Sequence, residues 1–530
     1  MSVPAQSSTS ALTVDRVPAL ELEAVPIQAA APLGVVTSLC RRLQESEVGY
    51  CHWKSNEHLQ AATLGETDLD ILVDRRAALK VAQILSETGY KQMMAVSARS
   101  YVGIEDYLAL DRATGKLVHL HLHHRLILGE KFLKGYRLPW EDHLLARRQL
   151  DPNTGIYVSS PELELMVLMV RAALKLRWRD SLGFGGAGPL DGDLLREFRW
   201  LAERIDPAGL QAEGTELLGS PAATLLEAMV ASGPDRVALR RFRAAIGDSA
   251  KTWRTYRPIE ATRRRWLREW RARSARLWSR ITGRRQITRF HNPRGGVVIA
   301  LLGADGSGKS TVTSAITSWL SWRMEVLPLY LGFGDGPVSG VRGPLQAMKA
   351  VYSRRRVTTA EPGSNDASHR GAAPPSLRQI PKVVWRVLWS WSVVREKRSR
   401  LGQARRGREL GLVVICDRYP QAQIMGLGDG PVLNHWERHS WGWLRGVSRW
   451  EVDAYRRMEA LAPDLVIKLH VTPDVSARRK PEGSLEGLAR RVEVVQRVQF
   501  SSATRVAHVD TNQPLAQVLL EVKRAVWEAL

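Results

Sequence analysis

Cysteine is nearly absent from this chain. Among 530 residues only Cys40, Cys51 and Cys416 occur, and no two form a C-x-x-C pair. That spacing excludes a disulfide-stapled fold and a cysteine-ligated zinc site, and it suits a reducing compartment. Long apolar runs are also missing: none approaches the ~20 residues that cross a bilayer. The N-terminus shows no basic stretch followed by an apolar one, so no secretory signal is expected and a cytoplasmic location is. Acidic residues are in deficit, 54 Asp and Glu against 77 Lys and Arg, for a formal net charge of +23. Such an excess favours anionic partners: nucleotides, nucleic acid or an anionic membrane surface. An arginine-rich composition accounts for it equally, because a charge total does not locate a binding face. Nothing in the composition indicates an oligomeric state.

What is present divides the chain. Residues 1–32 are rich in Ala, Pro, Ser and Val without pattern, and read as a disordered tail. Residues 33–158 alternate short strand and helix patterns. Residues 159–292 form a helical region, interrupted by a glycine-rich break at Gly183–Gly188 and ending in a basic, tryptophan-rich helix. Residues 293–530 are a second α/β block, within which 357–379, rich in Pro, Ser, Ala and Gly, read as a disordered insertion. The expectation is an α/β multidomain protein without solenoid repeats.

The sharpest chemical signal lies at Gly303-Ala304-Asp305-Gly306-Ser307-Gly308-Lys309-Ser310-Thr311. An apolar run, Val297 to Leu302, precedes it, and Val312, Ile316 and Leu320 follow at helical spacing. Strand, glycine loop, Lys-Ser and helix together make a phosphate-binding loop. Its glycines let backbone N–H groups curl around phosphate, and the helix N-terminus adds a favourable dipole. In such a loop Lys309 reaches the β- and γ-phosphates of ATP and the Ser310 hydroxyl ligates Mg²⁺. A second apolar run, Leu412 to Cys416, ends in Asp417-Arg418-Tyr419. At the carboxyl end of a strand, Asp417 can hold Mg²⁺ or take a proton from an acceptor, and Arg418 can grip a phosphate or carboxylate. A third strand follows Pro463, and beyond it lies the basic cluster Arg478-Arg479-Lys480. Position 306 in the loop is not a cation, so the positive charge needed at the transferring phosphoryl must come from elsewhere, and this cluster is the nearest candidate. A solvated helix face is the plainer reading of the same residues.

This order resembles the thymidylate kinase-like branch of nucleoside monophosphate kinases over roughly 293–530. The resemblance rests on Asp305-Gly306-Ser307-Gly308-Lys309-Ser310-Thr311, Asp417-Arg418-Tyr419 and Pro463-Asp464-Leu465. It implies a P-loop fold with a parallel sheet, ATP with Mg²⁺, Asp305 contacting the acceptor, Arg418 positioning its anionic group, and Arg478, Arg479 or Lys480 closing over the phosphoryl. Two segments depart from the family. Its Arg-Glu-Pro-Gly-Gly stretch is replaced by Tyr330-Leu331-Gly332-Phe333-Gly334, and the residues after Asp-Arg-Tyr are Pro420-Gln421-Ala422-Gln423. These shape the nucleobase pocket in thymidylate kinases, so thymidylate is not the expected acceptor.

A second signal is Gly65-Glu66-Thr67-Asp68-Leu69-Asp70. In a strand, residues two apart share a face, so Asp68 and Asp70 project together and can bridge Mg²⁺. With the strand and helix patterns at Tyr50–Ser55 and Asn56–Thr63, this resembles the nucleotidyltransferase fold over about 35–158. Here Lys54-Ser55 stands where that family has a glycine pair or Gly-Ser. In place of a third carboxylate, the later strand carries His119, His121 and His123 on one face. Three readings stay open: a mixed Asp/His metal site, since imidazole suits Zn²⁺, Mn²⁺ or Fe²⁺ better than Mg²⁺, a polar wall in a domain that has lost catalysis, and a plain surface pair, which the preceding Gly-x-Thr turn disfavours. The second is favoured, because the D-x-D pair persists without the other elements.

Trp266, Trp270, Leu277 and Ile281 recur at helical spacing among Arg263, Arg264, Arg265, Arg268, Arg271, Arg273 and Arg276. Such a helix either lies on an anionic membrane or nucleic acid, or packs its tryptophans on a domain and solvates its arginines; packing is the expectation. Packing on the kinase sheet is likewise expected for Trp385 and Trp389. The function expected is ATP- and Mg²⁺-dependent phosphorylation of a small anionic acceptor, such as a nucleotide or sugar-phosphate. The alternatives are nucleic-acid end processing and a non-enzymatic, ATP-gated scaffold at the membrane in polysaccharide metabolism.

Overall fold

Buried-strand sequence and capping residues account for most of the architecture. In the computed structural model, the described residues are 31–96, 99–129, 132–176, 190–282, 287–332, 380–424, 429–480 and 485–530. The tail at 1–30, the glycine-rich break, the segment from Phe333 onward and the insertion at 357–379 lie outside them. Pro32–Leu530 forms one compact unit.

The N-terminal half holds a seven-stranded mixed sheet. Its strands are β1 (Tyr50–His52), β2 (Leu69–Val73), β3 (Lys91–Met93), β4 (Ile104–Leu110), β5 (Leu117–His123), β8 (Gln149–Leu150) and β9 (Tyr157–Val158), in the order β3-β4-β5-β2-β1-β9-β8. A small hairpin joins β6 (Leu126–Leu128) to β7 (Tyr136–Leu138). β2 runs antiparallel to β1 and parallel to β5, with Asp70 opposite His121. β4 runs antiparallel to β5, with Asp106 opposite His121. The register therefore lays the D-x-D strand, the histidine strand and a further carboxylate strand side by side.

The middle of the chain is helical, and its breaks are set by caps. Ser160 caps the Pro161–Lys175 helix with proline in its first turn. Asp191, Asp206 and Asp235 each accept hydrogen bonds from the first turn of the next helix, at 2.9, 2.9 and 2.6 Å. Each such cap contributes about 1 kcal/mol and leaves the chain no reason to run two helices together. The Pro161–Lys175 helix is buried almost all round, at the centre of a core with Phe198, Leu226 and Phe242.

The C-terminal half is a five-stranded sheet of β10 (Val297–Gly303), β11 (Val326–Tyr330), β12 (Val413–Asp417), β13 (Leu465–His470) and β14 (Arg505–Asp510). Their order is β11-β12-β10-β13-β14, with every pair parallel. Helices cover both faces, which is why β10 and β12 read as near-continuous apolar runs. One face packs on the Lys309–Ser321 and Leu515–Ala529 helices, the other on Ile380–Glu409 and Gly442–Glu459.

The two sheets are not separate bodies. Met93, Leu108, Leu110 and Leu117 share one buried cluster with Ile316, Val522 and Trp527. Lys91 Nζ donates to the Trp527 carbonyl at 2.6 Å, and Arg524 to the Arg112 carbonyl. Among the described residues no helix is long and apolar enough to cross a membrane.

Candidate functional site

The parallel register brings the ends of β10 and β12 together, Leu301 opposite Asp417. A cleft of about 650 Å³ opens there, lined by Asp305, Gly306, Gly308, Lys309, Ser310, Thr311, Tyr330, Asp417, Arg418, Arg479 and Lys480. Gly306 and Gly308 take φ of 79° and 83°, the left-handed region that glycine occupies without cost. A side chain at Gly306 would also press on the Ser476 carbonyl. At Gly303 a Cβ would collide with Ser307 Oγ, a buried hydroxyl without a hydrogen-bond partner. Lys309 Nζ donates to the Gly303 and Ala304 carbonyls at 2.8 and 2.7 Å. Burial, then the nearby Arg418, push its pKa down to about 8.

Asp417 Oδ1 is buried and has no hydrogen-bond partner. Burial raises its pKa against the pull of Lys309 and Arg418. Arg418 stands at a positive φ of 69°, held by its N–H on the Leu301 carbonyl at 3.0 Å. A non-glycine residue in that region is strained, and strain of this kind concentrates at functional sites. The conformation turns the guanidinium into the cleft, 3.2 Å from Asp429 and 3.2 Å from Asp305. The other Asp305 oxygen receives Arg491 at 2.7 Å. Burial pushes the Asp305 carboxyl up, but Lys309, Arg418, Arg491 and Lys480 outweigh it and hold it below the usual range.

Of the basic cluster, Arg479 and Lys480 line the cleft, whereas Arg478 is exposed and outside its lining. Arg491 and Asp429 were not singled out from sequence. Neither sits in a motif, and each reaches the site from a distant segment. A second cleft of about 260 Å³ adjoins the loop beside Thr311, Arg479, Thr511 and Gln513, whose amide oxygen is buried without a partner.

The N-terminal carboxylates have different company. Asp68 Oδ1 is 2.8 Å from His119 Nδ1 and pairs with Arg323, just beyond the Lys309–Ser321 helix. Asp70 Oδ1 is 2.9 Å from Lys54 Nζ, 3.2 Å from His121 Nδ1 and 3.4 Å from His123 Nε2. Asp106, which sequence reading passed over, lies 3.1 Å from His119 Nε2 and 3.6 Å from His121 Nε2. Burial opposes charge on Asp70, but Lys54 and the histidines hold its pKa well below the usual range. Burial also opposes charge on His119, yet Asp106 and Asp68 raise its pKa. Burial lowers that of His123 to about 3. Ser55, which fits the Gly-Ser form of the resemblance while Lys54 departs from it, has φ of 56°, in the left-handed region.

The basic helix, Pro258–Thr282, departs from the packed expectation. Trp266, Trp270, Leu277 and Ile281 are exposed, while Arg264 and Arg268 lie over the rings of Tyr256 and Tyr101. The side chain of Arg276 lies outside the described residues. Trp385 and Trp389 are half-buried and stack on each other at 6.3 Å.

No family model matches the chain. It is 29% identical over 234 residues to the uncharacterized ATP-binding protein YghS of Escherichia coli (strain K12), across 44% of this chain and 93% of that protein. It is 26% identical over 230 residues to the uncharacterized ATP-binding protein YghR of the same strain, across 43% and 86%. It is also 26% identical over 251 residues to a thymidylate kinase of Leifsonia xyli subsp. xyli, across 43% and 94%.

Proposed function

We propose that the C-terminal block is a P-loop kinase that transfers the γ-phosphoryl of ATP to a small anionic acceptor. One observation carries this reading: an open glycine loop with Lys309 faces an unpartnered, buried carboxylate, Asp417, across a cleft rimmed by arginine. A pure nucleotide switch has no use for Asp305 and Arg418 on the acceptor side. The ATP-binding names of the relatives and the more distant thymidylate kinase support the same class.

In this reading Lys309 leaves its loop carbonyls for the β- and γ-phosphates, and the loop N–H groups cradle them. The adjoining cleft beside Gln513 takes the base. Asp417 and Ser310 fit Mg²⁺, since the Asp417 oxygen lacks a partner and both line the cleft. Held by these two residues, the ion would supply positive charge to offset that on the transferring phosphoryl. Asp305 is a poor base because both its oxygens hold arginine. It positions Arg418 and Arg491 for the acceptor anion. The acceptor oxygen bonds to the γ-phosphorus, and the bond to the β–γ bridging oxygen breaks to leave ADP. A phosphate acceptor needs no general base, and for a hydroxyl acceptor the proton passes to a phosphoryl oxygen or to water in the open cleft. Arg479 and Lys480 supply the charge the loop lacks.

For the N-terminal block we propose a nucleotidyltransferase-like scaffold without Mg²⁺-dependent transferase chemistry. Asp68 and Asp70 face a cation and imidazoles, and this nitrogen-rich surrounding suits Mg²⁺ and a triphosphate poorly. The test of the kinase reading is ADP release with nucleotides, sugar-phosphates and oligonucleotide ends as acceptors. A nucleotide or sugar-phosphate should stimulate release with saturation, and dTMP should be poor. Stimulation by oligonucleotide ends alone would move the reading to nucleic-acid processing. Equal rates with and without every acceptor would end it.

A further inference from the structure

The histidine strand carries a donor set that the kinase does not use and that does not suit Mg²⁺. We propose that Asp70, His121 and His123 form a site for an imidazole-preferring divalent ion of the Zn²⁺ class. Their donor atoms lie within 4.8 Å of one another. Asp70 Oδ1 is 3.2 Å from His121 Nδ1 and 3.4 Å from His123 Nε2. Ligands ~2.0–2.1 Å from a tetrahedral ion stand about 3.3 Å apart, so these two edges already have the right length. His123 is fully buried, and neither ring nitrogen has a well-formed hydrogen bond. An unpaired imidazole in such a place lacks a partner that a metal would supply. Asp106 stands 3.6 Å behind the second nitrogen of His121, where an orienting carboxylate belongs in a carboxylate–histidine–metal relay. His121 is only partly buried, which leaves an open side for water or a ligand. Lys54 Nζ, 2.9 Å from the shared Asp70 oxygen, is the cation an entering metal displaces.

Competition between Lys54 and the metal gives the test. Tag-free full-length protein is titrated with Co²⁺ and followed by visible absorption, then back-titrated with Zn²⁺. The expected result is one Co²⁺ per chain with the intense bands of a four-coordinate N/O site, displaced by Zn²⁺ and not by millimolar Mg²⁺. Lys54→Met should tighten binding about tenfold or more, and His121→Gln should weaken it by about 10–100-fold. Circular dichroism checks that each variant folds. No Co²⁺ spectrum in either wild type or Lys54→Met overturns the proposal. So does binding that His121→Gln leaves unchanged.

A separate observation carries a second proposal. At 3.6 residues per turn, Ile259, Trp266, Trp270, Leu277 and Ile281 fall within about 60° of arc on the Pro258–Thr282 helix. All five are between 56% and 85% exposed. Arg263 and Arg273 flank this stripe and are exposed. The opposite face is anchored to the body through Arg268 on Tyr101. We infer that this face lies on an anionic lipid surface, tryptophans at the headgroup level and arginines on the phosphates, as the net charge of +23 favours. The protein should cosediment with phosphatidylglycerol-containing vesicles and not with pure phosphatidylcholine. Trp266→Ser with Trp270→Ser should abolish cosedimentation. Binding that ignores lipid charge, or that survives the double substitution, overturns the inference. So does a dimer in solution that the same substitution dissociates, which would make a second copy the occupant.

Discussion

Two clusters of carboxylates sit at strand edges in this protein, and they differ in who neutralises them. In the N-terminal cluster, Asp68 faces Arg323 and His119, Asp70 faces Lys54, and Asp106 faces His119. In the C-terminal cleft, Asp417 keeps a buried oxygen with no partner, and Lys309 rests on the Gly303 and Ala304 carbonyls and not on a carboxylate. A carboxylate pair that is already compensated has little to gain from Mg²⁺, whereas an uncompensated one is poised for a cationic ligand.

The comparison breaks most severely if the C-terminal cleft is not the reacting one. Lys309→Ala should cut phosphoryl transfer by about 10³-fold or more while leaving circular dichroism unchanged. Wild-type turnover in a folded variant would refute the assignment.

A smaller effect sharpens the same side. Burial and Arg418 depress Lys309 to about 8 in the ligand-free cleft. Phosphate prefers the ammonium, so its binding raises that pKa again. Nucleotide affinity is therefore full below about pH 8 and falls by up to tenfold per unit above it. Calorimetric titration with ATP from neutral to alkaline pH reads this directly, and Lys309→Arg should flatten the profile.

The junction between the two regions is next. Arg323→Ala removes the cation on Asp68, but both side chains are partly solvated, at 25% and 37% exposure. The loss should be only about 1 kcal/mol, a small fall in Tm by calorimetry. A drop several times larger would mean that the shared core depends on this pair.

The smallest expected signal is none at all. Pyrophosphate release from any NTP with Mg²⁺ should stay at background in the wild type. Robust release that Asp68→Asn with Asp70→Asn abolishes would restore the N-terminal block as a working transferase and erase the contrast.

Much of this was legible along the chain. The glycine loop was readable because its chemistry is local: a strand, left-handed glycines and a helix start are consecutive residues. The D-x-D strand and the histidine strand were readable for the same reason, since the period of two puts alternate residues on one face. Asp106 was not, because a lone aspartate on β4 becomes part of the cluster only through the antiparallel register with β5. Arg491 and Arg323 reach their aspartates across 186 and 255 residues, and no motif marks either. The tryptophan stripe was visible as a periodicity, but the direction it faces was not.

The sequence by itself marked the apolar strands Val297–Leu302, Leu412–Cys416 and Leu465–Leu469, the D-x-D and histidine strands, and a glycine loop between strand and helix, because these follow from local conformational preference and apolar periodicity. Tertiary structure alone decided that Met93 and Trp527 share a core. It alone gave Asp68 and Asp70 their direct ion pairs and left one buried Asp417 oxygen without a hydrogen-bond partner. Electrostatic fate depends on which charges arrive within a few ångströms, and that is set by packing between segments far apart in the chain.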